Sequence, residues 1–153
     1  MVSTAKLKLF SDNFALAVAA SKILTQSLQR AAPLFKKPLS DLDPAAQETL
    51  EALASRYARL SDLITHKIFR TLDQIELVDD GSLLDRLNRA EKRKLIDSAS
   101  TWRELRELRN EIAHEYVVEP HGRLISEVAR TAPQLITCVE NVSKYADSKG
   151  YLA

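Results

Sequence analysis

The stretch Trp102-Arg-Glu-Leu-Arg-Glu-Leu-Arg-Asn-Glu-Ile-Ala-His-Glu-Tyr116 places Trp102, Leu105, Leu108 and Ile112 on one apolar stripe when laid out at ~100° per residue. The spacing predicts a helix with that stripe against a core. Arg109 follows Leu105 by one turn and precedes Ile112 by three residues, so it projects from the edge of the stripe. Asn110 and His114, four residues apart, occupy an adjoining polar face in line with Arg103 and Arg106. An arginine crowded by core residues keeps its proton and cannot stay unpaired in a dry site. It needs a carboxylate, a chain carbonyl, a second subunit or a phosphate.

Outward from that segment the chain reads as helices throughout. Thr4 to Ala31 carries Phe10, Phe14, Ala17, Ser21, Leu24 and Leu28 at alternating spacings of four and three. Pro33 and Lys36-Lys37-Pro38 end it. A long second helix opens with Asp43 as N-cap and Pro44 at its first position. Its stripe of Leu50, Leu53, Tyr57, Leu60, Ile64 and Ile68 continues to about Leu77. On the same wheel Phe69 lies off the stripe with Ala58, Asp62 and Thr65, where it is either a scattered exposed aromatic or, as preferred here, a subunit contact. The next helix begins at Ser82, where Ser82-Leu-Leu-Asp85 approximates a capping box, and Leu83, Leu84, Leu87 and Ala90 are expected to cover the core. Ser100 is expected to cap the segment that follows. A last helix starts near Leu124, is kinked or split at Pro133, and gives way to a frayed tail over 147–153. Helices one and two are expected to pair as an antiparallel hairpin within an all-α, four- to five-helix up-and-down bundle, residues 1–153 forming one domain.

The 153 residues include three Gly and five Pro and lack extended β-branched runs, which suits helices. With 22 basic against 21 acidic residues there is no global polybasic signature. The distribution is uneven: Arg86, Arg89, Lys92, Arg93, Lys94, Arg103, Arg106 and Arg109 face only Glu91, Asp97, Glu104 and Glu107 in the same window. That strip is either a solvated face with i, i+4 ion pairs or a docking strip for phosphates. Cys138, the one cysteine, falls among Leu135, Val139 and Val142 and is expected to be a buried thiol. No apolar run approaches the ~18 residues of a membrane span, and a cytoplasmic protein is the default expectation.

His66, His114 and His121 share no metal-ligand spacing. No glycine-rich phosphate loop, nucleophile elbow or catalytically placed cysteine exists. Metal- and cofactor-free acid–base chemistry remains. His is the side chain that exchanges a proton near neutral pH, and RNA brings its own nucleophile, the 2′-hydroxyl. His114 suits the proton transfer, and Arg109 suits the stabilisation of a pentacovalent phosphorane through its planar fork. Asn110 can orient His114 or bind the phosphate. Arg109 and His114 are ~140° apart around a straight helix. Either the helix loosens at His114, or Arg109 reaches around, or a second chain completes the site. His66 and His121 are expected to be ordinary surface residues.

Arg109-Asn110, His114 and Tyr116 form an Arg-x4-His-x-Tyr pattern that resembles the HEPN family, most closely the HepT-like ribonuclease toxins encoded beside a small nucleotidyltransferase antitoxin. Leu87-Asn-Arg-Ala-Glu-Lys-Arg-Lys-Leu-Ile96 and Pro133-Gln-Leu-Ile136 resemble the flanks of that motif, while the first helix is alike in pattern alone. The resemblance implies an endoribonuclease acting as the toxin of a toxin–antitoxin pair, with Arg109, His114 and Asn110 catalytic and Arg103 and Arg106 toward RNA. It implies a homodimer whose two motif helices line one cleft, supplying two histidines as base and acid. It also implies that the cognate nucleotidyltransferase attaches AMP to Tyr116, unless that ring is simply packed in the core. Two other readings stand beside it: a non-catalytic helical adaptor for a nucleotidyltransferase, and a dimeric scaffold in which Arg109 and His114 only hold helices or subunits together.

Overall fold

A computed structural model describes residues 2–114 and 122–152, and no strand occurs among them. Helix α1 spans Thr4–Ala31, capped by the Ser3 hydroxyl. Two short 3-10 turns, Ala32–Lys36 and Leu39–Asp41, lead into α2, Pro44–Asp62. Its cap is Asp43, whose carboxylate accepts from the Ala46 N–H at 2.8 Å, with Pro44 first in the helix as expected. The rod continues through a π-helical turn, Leu63–Ile68, into α3, Phe69–Ile75. Then come α4, Leu83–Lys92, α5, Ala99–His114, and α6, Arg123–Lys149. The all-α bundle and its long hairpin are as the sequence predicts.

Side-chain contacts fix the directions. Lys6 Nζ donates to the Gln74 carbonyl at 3.2 Å and Arg56 to Ser27 at 2.7 Å, so α1 runs antiparallel to the α2–α3 rod. Trp102 Nε1 donates to Thr65, and Arg109 bonds Asp62, so α5 is antiparallel to the rod as well. In α6, Thr131 meets Tyr57 while Tyr145 meets Glu76, which makes it parallel. The rod is therefore the central element, and one core cluster draws on every helix. Tyr57 is fully buried in it; its hydroxyl pairs with Thr131 at 3.0 Å, and burial pushes its pKa up to about 12. Cys138 is buried, as expected, and burial pushes its thiol up too.

Several local expectations are corrected. Phe69 is fully buried and packs on Trp102, with ring centroids 5.5 Å apart. With no exposed surface, it is not placed to meet a second subunit. Two causes combine. The π turn is wider than an α turn, so angles counted at ~100° per residue drift across Leu63–Ile68, although Ile64 and Ile68 are buried as expected. In addition, the face bearing Asp62, Thr65 and Phe69 is covered by α5, so the rod has a second buried side. Leu83 and Leu84 are 41% and 45% exposed, whereas Leu87 and Ala90 are buried. The two leucines fall on the first turn of α4, beyond the helices that cover its later turns. Capping of α5 belongs to Ser98, whose hydroxyl accepts from the Thr101 N–H at 3.0 Å, rather than to Ser100. Pro133 does not split α6; it sits on the exposed side, where water can satisfy a displaced carbonyl.

As far as Tyr151 the expected frayed tail is instead held in place. Gly150 ends α6 in the left-handed region, the Tyr151 N–H returns to the Ala146 carbonyl, and the Tyr151 hydroxyl donates to Glu76 at 2.9 Å. Gly122, also left-handed, lies so close to Leu39 that a Cβ there would overlap its side chain.

Asp73 organises the far end of the rod. Fully buried on α3, it accepts from Arg93 at 2.7 Å and Arg89 at 2.9 Å, and Arg86 lies 3.9 Å away. Arg93 also reaches Glu76 at 3.0 Å. Removing the negative member of such a buried cluster strands its cations. Asp73→Asn is expected to cost about 3–5 kcal/mol, read as a shift of the urea midpoint against wild type.

Candidate functional site

The motif stripe behaves as its spacing requires: Trp102, Leu105 and Leu108 are buried, with Ile112 packed at the edge of the core. The register of α5 then turns Arg106 and Arg109 toward the rod where α2 gives way to the π turn. Arg109 grips Asp62 with two parallel bonds, Nε to Oδ1 at 2.8 Å and Nη2 to Oδ2 at 3.0 Å. Arg106 Nη1 donates to the same Oδ1 at 2.8 Å and to the Ser61 hydroxyl at 2.8 Å. Of the partners that Arg109 could take, a carboxylate of the second helix is the one it has.

Charge and burial oppose each other at Asp62. Burial alone would raise its pKa, but hydrogen bonds from Arg109 and Arg106, followed by their charges, hold it below the usual carboxylate range. Arg109 is pushed the other way, chiefly by its hydrogen bonds to Asp62. The guanidinium keeps 27% of its side-chain surface exposed. Asp62 takes Nε and Nη2, and among the described residues no hydrogen bond reaches the two N–H groups of Nη1.

His66 completes the cluster. Its Nε2 lies 3.0 Å from Arg106 Nη2. Arginine has no acceptor, so the contact requires Nε2 to accept and a neutral ring to carry its hydrogen on Nδ1. Burial first, then the Arg106 charge, lower the His66 pKa. His66 is exposed, as expected of a surface residue, but its ring is engaged by Arg106. Sequence reasoning missed it and Asp62, although Asp62, Thr65, His66 and Phe69 recur at helical spacing opposite the main stripe, which is the available signal. His121 lies outside the described residues.

The other motif residues stand apart. Helix α5 stays α-helical through His114, so no loosening brings His114 round to Arg109. Asn110 and His114 are exposed, and no hydrogen bond joins either of them to Arg109 among the described residues. Tyr116, the expected AMP acceptor, lies outside the described residues. The hydroxyls of Tyr57, Tyr145 and Tyr151 are committed to Thr131 or Glu76. Glu76 accepts from Tyr145 at 2.5 Å and Tyr151 at 2.9 Å, and burial together with that carboxylate raises both phenols to about 12.

The basic strip is reorganised relative to both of its sequence readings. Arg86, Arg89 and Arg93 turn inward to Asp73, and Arg106 and Arg109 to Asp62. These pairs cross between helices instead of running i to i+4, and they occupy guanidinium groups that a phosphate would otherwise meet. Lys92, Lys94 and Arg103 remain exposed.

Among the described residues, no group of His, Cys, Asp and Glu side chains is arranged to hold a metal ion, and no helix is long and apolar enough to cross a membrane. Comparison with protein-family models, curated proteins and solved structures returned no match to this chain.

Two outcomes follow from the cluster. Asp62→Asn keeps the shape but removes the charge that two arginines share, so a loss of about 1–3 kcal/mol in urea unfolding is expected. The second concerns pH. A histidine with a depressed folded pKa binds its proton better when unfolded, so its contribution is complete above ~6.5 and is lost as pH falls through that value toward the folded one. Between pH 7.5 and 5.5 the wild-type melting temperature should fall more than that of His66→Gln. Equal slopes would remove His66 from the acid response.

Proposed function

We propose that this chain is a metal-independent endoribonuclease of the HepT-like kind, the toxin of a toxin–antitoxin pair. The observation that carries the reading is Arg109 itself. It belongs to the Arg-x4-His-x-Tyr pattern, and the two-point grip of Asp62 fixes its plane while leaving Nη1 over and the side chain partly exposed. A guanidinium held in this way suits a developing phosphorane, because its orientation is settled before substrate arrives.

In the proposed reaction His114 takes the proton from an RNA 2′-hydroxyl as that oxygen attacks the adjacent phosphorus. Arg109 stabilises the charge on the phosphoryl oxygens. The bond to the 5′-oxygen breaks, and the leaving oxygen takes a proton from a second histidine, yielding a 2′,3′-cyclic phosphate and a 5′-hydroxyl. With His114 well round α5 from Arg109, that second histidine and a complete site are assigned to a homodimer, in which one protomer's motif helix faces its partner's. Arg103 and Asn110, both exposed on α5, would meet the RNA. Arg106 would act mainly by holding Asp62 and His66. In this reading the cognate nucleotidyltransferase attaches AMP to the Tyr116 hydroxyl, adding bulk and negative charge to a cleft that receives phosphate.

One observation favours a second reading. Because Asp62 satisfies Arg109 and Arg106 together, a purely structural α2–α5 bridge would have the same geometry, as in a helical scaffold or adaptor. Activity separates the two. Wild-type protein incubated with total RNA in EDTA should release fragments with cyclic-phosphate or 3′-phosphate ends, and His114→Ala or Arg109→Ala should reduce cleavage by at least ~10²-fold. Melting curves identify any variant that has lost its fold. Absence of cleavage by wild type, or full activity in His114→Ala, would leave the scaffold reading standing.

A further inference from the structure

Alongside the Asp62 cluster, between the rod and α5, runs a groove of about 520 Å³ bordered by Arg59, Asp62, His66, Lys67 and Arg109. It follows the face of α2 as this enters the π turn, and such wide turns recur at functional sites. The charges do not cancel. Among the described residues Asp62 is the one carboxylate on the groove, and both of its oxygens already accept from Arg106 or Arg109. Arg59 and Lys67 are exposed, and neither head group forms an ion pair among the described residues. Three cations therefore border a space whose single anion is already engaged.

His66 adds a donor of a different kind. The contact with Arg106 uses its Nε2 as acceptor, so the neutral ring offers an Nδ1–H. A neutral histidine beside arginines can donate to an anion without first taking up a proton. The volume lies within the range of pockets that hold ligands larger than a bare ion. Ala58 and Leu63 also border the groove, giving a sugar or base an apolar surface.

We propose that this groove holds one nucleotide unit by its phosphate, using Arg59, Lys67 and the spare Nη1 of Arg109 as cationic donors and His66 Nδ1–H as a neutral one. This deepens the ribonuclease reading, on which it rests for the source of the phosphate: the RNA is gripped within one chain, by Arg109 of the motif together with Arg59, His66 and Lys67 from α2 and the π turn. The shared chemistry is a nucleotide phosphate, and RNA and a free mononucleotide are its two sources.

The test uses the full chain and non-cleaving probes: a fluorescent 2′-O-methyl single-stranded oligonucleotide, AMP and inorganic phosphate. Affinities are measured at low salt for wild type, Arg59→Ala/Lys67→Ala, and a control of equal charge change, Lys92→Ala/Lys144→Ala, whose lysines do not border the groove. All of these positions are exposed, and melting curves verify the fold. His66 is followed by its ring NMR signals. The expected result is at least a tenfold weaker oligonucleotide affinity in the groove variant, less than twofold change in the control, and movement of the His66 signals with the oligonucleotide. Movement with AMP as well identifies a mononucleotide site; movement with the oligonucleotide alone identifies RNA as the source. Equal weakening in both double variants, static His66 signals at saturation, or no binding of any nucleotide probe by wild type overturns the proposal. Cleavage sorts the rest. If the groove variant binds and cleaves like wild type while His114→Ala is dead, the groove assignment fails and the ribonuclease reading survives. If binding behaves as expected but wild type cleaves nothing, the groove stands without the ribonuclease.

Discussion

A carboxylate withdrawn wholly or partly from water is met by positive charge, and the rod presents three along its length: Asp73, fully buried, and the half-buried Asp62 and Glu76. The arginines of α4 and α5 answer them, Arg93, Arg89 and Arg86 at Asp73 and Glu76, Arg106 and Arg109 at Asp62. Apolar burial alone would let α5 slide or rotate on its stripe, since hydrophobic attraction has no direction. The ion pairs have direction. Together with Trp102 on Thr65 they fix where along the rod the motif helix sits, and so where any chemistry on α5 takes place. The same pairs use most of the positive charge that the sequence places before the motif. A strip that looks like a surface for polyanions is largely an internal fastening.

Much of this architecture was open to sequence reasoning, because it rests on signals confined to a few turns. Asp43-Pro44 and Ser82 with Asp85 are caps whose partners lie three residues away, and the stripes of α1 and the early rod repeat within one helix. What was not open depends on partners distant in the chain. Phe69 was misplaced because a single wide turn upset the angular count and because the helix covering it comes over thirty residues later. Tyr151 looked like part of a loose end, yet its anchor is Glu76, half the chain away. Arg109 shows the boundary most clearly. Its need for a partner follows from its position on the wheel, while the choice of Asp62 follows only from the packing of α5 on the rod.

The candidate site shows a similar division. The motif singles out Arg109 and His114, but within one chain the fold groups Arg109 with Asp62, Arg106 and His66. His114 stays on the exposed end of α5. A second histidine close to the arginines is a feature that no spacing rule for a single helix would yield, since it is brought there by a neighbouring helix. Its tautomer is set by an arginine, and partial desolvation with the Arg106 charge lowers its pKa. With Nε2 accepting from Arg106, the ring's Nδ1–H is the group left to donate.

The π turn at Leu63–Ile68 bears on how this chain could change over generations. Wide turns of this kind amount to one residue more than a regular helix would hold. Because the turn already absorbs that residue, deleting one there would let it close to a regular α turn and leave Phe69 on Trp102 and Asp73 on its arginines. A deletion anywhere else between Asp62 and Asp73 would instead rotate the rest of the rod by about 100°. Changes of length in this part of the rod are therefore tolerated at one place, the turn itself.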